Sequence, residues 1–396
     1  MKINTLAINA KAFPHVNGYK KVLSFETLIF LVIFNGVFFF LGKNMGAINL
    51  INTMMKTAYD LLMNTVFYIL ALAVVAGAIS SLFTEFGVVS LINKILSPLM
   101  KPIYHEPGAA IIGIFATYLS DNPAILTLAD DKVFRRYFKK YQLPALTNIG
   151  TSFGMGLIVT VYMMGISSPS GESFVKAALI GNLGAIMGSI VSTRIMLHFT
   201  KKEYGTEEWA VNNHEESIDL NKYRKVREGS AGKRFLEAML EGGKSGVKMG
   251  VAIIPGVLII CTFVMILTNS VPSGGFTGAA YEGVGLLPAL GDKISFILNP
   301  LFGFSTSSCI AVPITALGAA GAAIALVPNM ISSSLASAND VAVFTAMCMC
   351  WSGFLSTHVA MMDTLGFSKM TSKAILSHTI GGLVAGITAH LIFILI

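Results

Sequence analysis

The sequence predicts an all-α polytopic membrane protein: an inverted-topology repeat with two re-entrant helical hairpins and about seven membrane crossings. Three observations predict it. Of 396 residues, 54% are hydrophobic and only 12% are charged, about half the charged share of a soluble domain. Apolar segments recur at 24–42, 58–84, 107–129, 143–166, 173–199, 245–269, 297–330, 341–362 and 374–396, several reaching the ~20 residues a helix needs to cross hydrocarbon. Lys and Arg concentrate in the amino-terminus, in 132–140 and in 201–248, as basic residues do in cytoplasmic loops.

Charge then orients each segment in turn. Lys2, Lys11, Lys20 and Lys21 place the amino-terminus inside. Segment 24–42 exits and is too long, with no small-residue cleavage site, for a removed signal peptide. Segment 58–84 returns, leaving 85–106 inside with Lys94 and Lys101. If 107–129 crossed, the basic run Asp130-Asp131-Lys132-Val133-Phe134-Arg135-Arg136-Tyr137-Phe138-Lys139-Lys140 would lie outside. Entering and turning back keeps it inside. Segment 143–166 exits, the loop 167–172 has no Lys or Arg, and 173–199 delivers the charged stretch 200–244 to the inside.

The second half repeats this order upside down. Segment 245–269 exits, and 270–296 carries one Lys, Lys293, which suits the outside. Segment 297–330 enters and returns, 341–362 goes in, Lys369 and Lys373 stay inside, and 374–396 exits. Lys43 and Lys56, outside in this scheme, run against it. The expected organisation is 1–57, amino-terminus plus first helix; 58–199, first repeat; 200–244, a cytoplasmic connector with a helix near 230–242; and 245–396, second repeat. The expected location is a bacterial inner membrane, with the amino-terminus cytoplasmic and the carboxy-terminus extracytoplasmic.

Composition excludes several functions. The net charge of +7 is loop charge beside anionic lipid, not a nucleic-acid surface. Cys261, Cys309, Cys348 and Cys350 lie in apolar stretches, and Cys348-Met349-Cys350 is too short for a C-x-x-C pair. No phosphate-binding loop, zinc signature or nucleophile elbow is present, so neither an enzyme nor a bound metal or cofactor is expected. The 20 Met residues read as adaptable packing.

Local matches support the repeat. Leu96-Ser97-Pro98-Leu99 precedes the first hairpin and Leu298-Asn299-Pro300-Leu301 the second. Gly184 and Gly188 in the last helix of one half correspond to Gly382 and Gly386 in the other, small residues on one face where a second backbone approaches closely.

The stretch Gly242-Gly243-Lys244-Ser245-Gly246-Val247-Lys248-Met249-Gly250, running into Val251-Ala252-Ile253-Ile254-Pro255-Gly256-Val257, and Pro107-Gly108-Ala109-Ala110 resemble the nucleoside-recognition Gate domain superfamily. Its relatives include concentrative nucleoside transporters, the membrane region of ferrous iron transporter B and spore maturation proteins. The resemblance covers roughly 58–396 without the connector. It implies a transporter-like fold with hairpins near a solute site, and does not imply that nucleosides are the solute.

Broken helices in a hairpin leave orphan backbone groups at membrane depth, which hold solutes or ions. In the first hairpin Ser120-Asp121-Asn122-Pro123 reads either as a helix cap or as a solute or cation site at the same helix end, through Asp121 and Asn122. In the second, Ser305, Thr306, Ser307 and Ser308 read either as lining for a polar solute or sodium, or as a loop bonded to its own backbone. The resemblance carries ligand contacts onto the helix after each hairpin, at Asn148, Thr151, Ser152, Ser352 and Ser356. Asn339-Asp340 reads as a cap. His358 reads as a proton relay or a hydrogen-bonded core residue.

The expectation is a secondary transporter of a small polar solute, nucleoside-like, coupled to sodium or protons. A metal or ion permease subunit and a non-transporting membrane assembly protein are the alternatives. The partners expected are the bilayer and the solute, with segment 24–42 available to a homo-oligomer interface.

Overall fold

The computed structural model describes residues 22–122, 124–125, 128, 132–211, 223–224 and 226–396. Lys2, Lys11, Lys20, Lys21, Pro123, Asp130, Asp131 and Lys222 lie outside the described residues. The chain is an all-α polytopic membrane protein. Among the described residues seven helices are long and apolar enough to cross a membrane. Among the described residues the only β pairing is one bridge between Lys139 and Trp209.

The peripheral helix α1 (Phe25–Met45) buries only Leu41 and Met45. Five elements follow, and then five like them. The first set is α2 (Ala47–Glu85); α3 (Val88–Tyr104); a hairpin that begins with α4 (Ala110–Tyr118) and ends with α5 (Lys132–Arg135); a broken helix, α6 (Ala145–Thr151) and α7 (Gly156–Met164); and α8 (Val175–Tyr204). The second set is α9 (Ala231–Thr268); α10 (Leu286–Lys293) with α11 (Ser295–Phe302); a hairpin of α12 (Ser307–Ala316) and α13 (Ala320–Ser332); a broken helix, α14 (Ala338–Cys350) and α15 (Phe354–Thr364); and α16 (Thr371–Leu395).

Equivalent helices pack on each other. Helices α2 and α9 cross where Gly77 and Gly246 admit the facing backbone: a Cβ on Gly77 would lie 3.3 Å from Gly246 N, and one on Gly246 2.6 Å from Val74 Cα. Helices α8 and α16 cross at Gly184 and Gly188, whose added Cβ atoms would meet Ala389 Cβ at 3.0 Å and Ala385 Cβ at 2.7 Å. Dispersion between close backbones drives such contacts in lipid. Gly382 and Gly386 differ from this expectation: their faces meet Trp351 and Met347 rather than α8, and the glycine of α16 that faces Gly188 is Gly381. Both α2 and α9 contain a π-helical turn, Leu61–Val66 and Gly256–Cys261, a local widening that recurs at functional sites.

The hairpins do not cross. Gln142 Nε2 donates to the His105 carbonyl at 3.0 Å, so the chain leaves the first hairpin where it began. The foot is tied to the end of α8, where Arg194 donates to the Ile103 and Pro102 carbonyls at 2.7 and 2.8 Å. Lys140 N donates to the Glu208 carbonyl at 2.8 Å and its Nζ pairs with that carboxylate at 3.0 Å. The basic run therefore lies on the face where the connector starts. In the second hairpin, Thr306 Oγ1 donates to the Leu335 carbonyl at 2.8 Å and closes the foot. This foot lies at the far end of α16, beside His390, whose Nδ1 is 2.8 Å from Asn339 Oδ1. The near end of α16 faces the other foot, with Lys373 Nζ 4.8 Å from the Phe199 ring centre. The two hairpins enter from opposite ends of α16.

Several segment bounds change. Segment 58–84 begins at Ala47, and the connector helix expected near 230–242 is the first half of α9. Segments 143–166 and 341–362 are each interrupted at mid-span, at 152–155 and 351–353.

Candidate functional site

The hairpin tips and the two interruptions converge. In the first tip, Ser120 Oγ accepts from Asp121 N at 2.6 Å, and Asp121 Oδ1 accepts from Asn122 N at 2.7 Å. Short polar side chains bonding the next N–H groups turn the chain and start the return arm. The interruption at 152–155 ends with Met155 at φ 55, and that at 351–353 ends with Gly353 at φ 63. Both are left-handed, a conformation that breaks a helix.

Hydrogen bonds clasp the second interruption from both sides. Asn122 Nδ2 donates to the Ser352 carbonyl at 2.5 Å. Gly353 N donates to the Ala316 carbonyl of the second hairpin at 3.0 Å. A Cβ on Gly154 would lie 2.7 Å from Ser352 Oγ and would also overlap Asn122 Oδ1, so glycine is required there. A Cβ on Gly353 would lie 3.0 Å from the Gly318 carbonyl oxygen.

Between these elements lies a cavity of about 180 Å³. The first hairpin contributes Asp121 and Asn122, the second Gly318 and Ala319, α15 and its approach Ser352, Ser356 and Thr357, and α9 Met249 and Gly256. Helices α7, α13 and α15 all begin at residues lining it, with no side-chain cap on any of them. Uncapped amino-termini carry orphan N–H donors and the positive end of the helix dipole. The wall also holds an acceptor: Asn122 Oδ1 is buried with no hydrogen-bond partner. The cavity thus offers donors from backbone and acceptors from Asn122 and Asp121, suited to a compact solute that both donates and accepts.

The expected site residues divide. Asp121, Asn122, Ser352 and Ser356 line the cavity. Ser152 is in the first interruption and back-bonds to the Asn148 carbonyl at 2.8 Å. Thr151 back-bonds to Thr147 at 2.7 Å. Asn148 donates to Ser192 Oγ and to the Ala374 carbonyl, each at 3.0 Å, tying α6 to α8 and α16. These three are buried away from the cavity.

The hydroxyl run occupies the foot of the second hairpin, not its tip. Ser305 Oγ donates to Asp340 Oδ2 at 2.5 Å, Thr306 closes the foot, Ser307 Oγ donates to Asp292, and Ser308 is buried at the start of α12. The cap expected at Asn339-Asp340 is shared differently: Ser337 is the N-cap, Asp340 Oδ2 accepts from Ser337 N at 2.8 Å, and Asn339 instead donates to the Phe302 and Gly303 carbonyls at 3.0 and 2.9 Å. His358 is fully buried, its Nδ1 3.1 Å from the Phe354 carbonyl and its ring 4.6 Å from that of His378. Its Nε2 has no hydrogen-bond partner.

Gly154, Met155, Gly318, Ala319, Gly353 and Thr357 were not expected at the site. A signal existed: polar–glycine pairs in mid-span at matching places of the two halves mark interrupted helices. Among the described residues no group of three or more His, Cys, Asp or Glu side chains is placed to hold a metal ion.

The fold and this junction define an α-helical membrane protein in which two hairpins meet two interrupted helices. No family model and no curated relative matches the chain. Solved structures do. CNTnw, a concentrative nucleoside transporter, in an inward-facing substrate-bound state superposes with a TM-score of 0.52 at 13% identity, covering 92% of this chain and 84% of that one. A variant of CNTnw in an outward-facing state gives 0.55 at 14% identity, covering 93% and 84%. At such identity the likeness is one of fold.

Proposed function

We propose that the protein is a secondary transporter that moves a small polar, nucleoside-like solute by ion-coupled alternating access. The observation that carries this is the meeting of two hairpin tips with two helix interruptions around one cavity. The unpartnered Asn122 Oδ1 and three uncapped helix starts there await a ligand. The likeness in fold to a nucleoside transporter supports the solute class. A cavity of about 180 Å³ is smaller than most drug-sized pockets, so the solute would be compact or the hairpins would part to admit it. The coupling cation would be sodium or a proton. Among the described residues no acid–base–nucleophile set converges at the cavity, which favours transport over catalysis. The bilayer is the expected partner, and the exposed apolar face of α1 is available to lipid or to a second copy.

The test is uptake of labelled nucleosides, bases and other small polar metabolites into proteoliposomes, with and without sodium or proton gradients. Gradient-dependent uptake of one class is expected. No uptake of any of them by protein shown to be folded would overturn the proposal.

A further inference from the structure

A second cavity, about 440 Å³, lies between α2, the first hairpin and α9. Met249 lines both cavities, and Ser120 lines this one while its neighbour Asp121 lines the first. The two cavities therefore adjoin at Met249 and the tip of the first hairpin, and the second reaches Arg227 of the connector. Elsewhere on α9 the Cys261 thiol is buried and donates to the Ala322 carbonyl at 2.9 Å, and a separate cavity of about 510 Å³ lies between α2, α7, α9 and α13.

The outer end of this second cavity is lined by Arg227 and Glu241. Among the described residues of the connector before α9, only Arg227 lines it. Its two guanidinium nitrogens have unequal partners. Nη1 donates to Glu85 Oε2 at 2.6 Å, at the end of α2, and Nη2 donates to Glu241 Oε2 at 2.5 Å, on α9. The Glu85 side chain is 4% exposed and the Glu241 side chain 68%.

Glu85 is also held by Arg234 at 3.3 Å and by the Arg227 N–H at 3.4 Å, while Arg224 donates to its carbonyl. A buried carboxylate with several donors is a fixed anchor, since breaking it strands a charge out of water. A solvated pair is weak and screened by salt, so it opens and closes readily.

We infer that Arg227 is a gate on the solute path, anchored on Glu85 and closing against Glu241 at the mouth between the site and the connector face. This rests on the transporter reading above. It adds a control point outside the site, made by the connector.

The gate is measured without a solute. Ser120→Cys reports on the path, and Cys261, Cys309, Cys348 and Cys350 are buried. The full-length protein in detergent is treated with a charged, membrane-impermeant thiol reagent. Glu241→Gln and, separately, added salt should raise the labelling rate at position 120 by up to about fivefold, the shift an exposed ion pair commands. Joining positions 227 and 241 through Arg227→Cys with Glu241→Cys should slow labelling, and reductant should restore it. Size-exclusion profiles check folding, and the salt arm needs no variant beyond the reporter.

Labelling that ignores Glu241→Gln, salt and the cross-link would overturn the gate. Labelling that responds, in a protein that takes up nothing, would remove the transporter reading and leave the Arg227 latch standing. Uptake that proceeds unchanged with the cross-link formed would remove the gate and leave transport standing.

Discussion

Asn122 donates its side-chain amide to the Ser352 carbonyl at 2.5 Å across 230 residues of sequence. One residue is at the tip of the first hairpin and the other in the interruption before α15. The bond satisfies a carbonyl that the break in the helix orphaned, and it leaves Asn122 Oδ1 free at the cavity wall. The same side chain therefore completes the fold and presents an acceptor.

Asn122→Ala removes both roles. An unmade buried hydrogen bond costs ~1–3 kcal/mol, and losing the acceptor weakens solute binding by about tenfold for each ~1.4 kcal/mol. Thermal unfolding and uptake kinetics should both show the change. A variant with normal stability and normal KM would contradict this placement.

Gly154→Ala should abolish uptake while the protein still inserts, because the new methyl group overlaps Asn122 Oδ1 and Ser352. Gly36→Ala, where nothing lies within 4 Å, should be silent. Equal behaviour of the two in uptake assays would show that the junction tolerates displacement.

Ser307→Ala should leave uptake intact, since Ser307 bonds Asp292 at the foot of the second hairpin. Asp340→Ala breaks the cap on α14 and its bond to Ser305. Losing a cap costs ~0.5–2 kcal/mol, so its melting temperature should fall. A raised KM with unchanged melting would return these residues to the solute site.

Glu282 confers a pH dependence on the loop between α9 and α10. Burial alone would raise its carboxyl. Hydrogen bonds from the Thr277 hydroxyl and from the N–H groups of Thr277, Gly278 and Ala279 outweigh burial and hold it below the ordinary glutamate value. Its stabilisation is thus complete above the unfolded value, about 4.3, and is lost as pH falls through the lower folded value. Protection from hydrogen exchange at 277–282, taken relative to the intrinsic exchange rate at each pH, should hold from neutral pH down to about 4.3 and fall below it, and Glu282→Gln should flatten that response. An acid response unchanged in the variant would remove Glu282 as its source.

Much of the fold was legible because hydropathy and charge are local properties. Arg135, Arg136, Lys139 and Lys140 indicated that 107–129 turns back, and Gln142 bonded to His105 shows the foot that results. The site was legible only in part. Asp121 and Asn122 stood out as polar residues in an apolar stretch. Ser305–Ser308 stood out equally and lie at the opposite end of their hairpin, because polarity marks both a loop and a ligand contact. Gly318 and Ala319, which do form that tip, have no polar side chain to betray them.

What the sequence alone determined is which segments can lie in lipid, since that follows from transfer of each segment's own side chains. Tertiary structure alone decided where the chain breaks within the membrane and which breaks meet. An unwound backbone is stable at that depth only when distant residues, here Asn122 for Ser352 and Ala316 for Gly353, satisfy the groups it exposes.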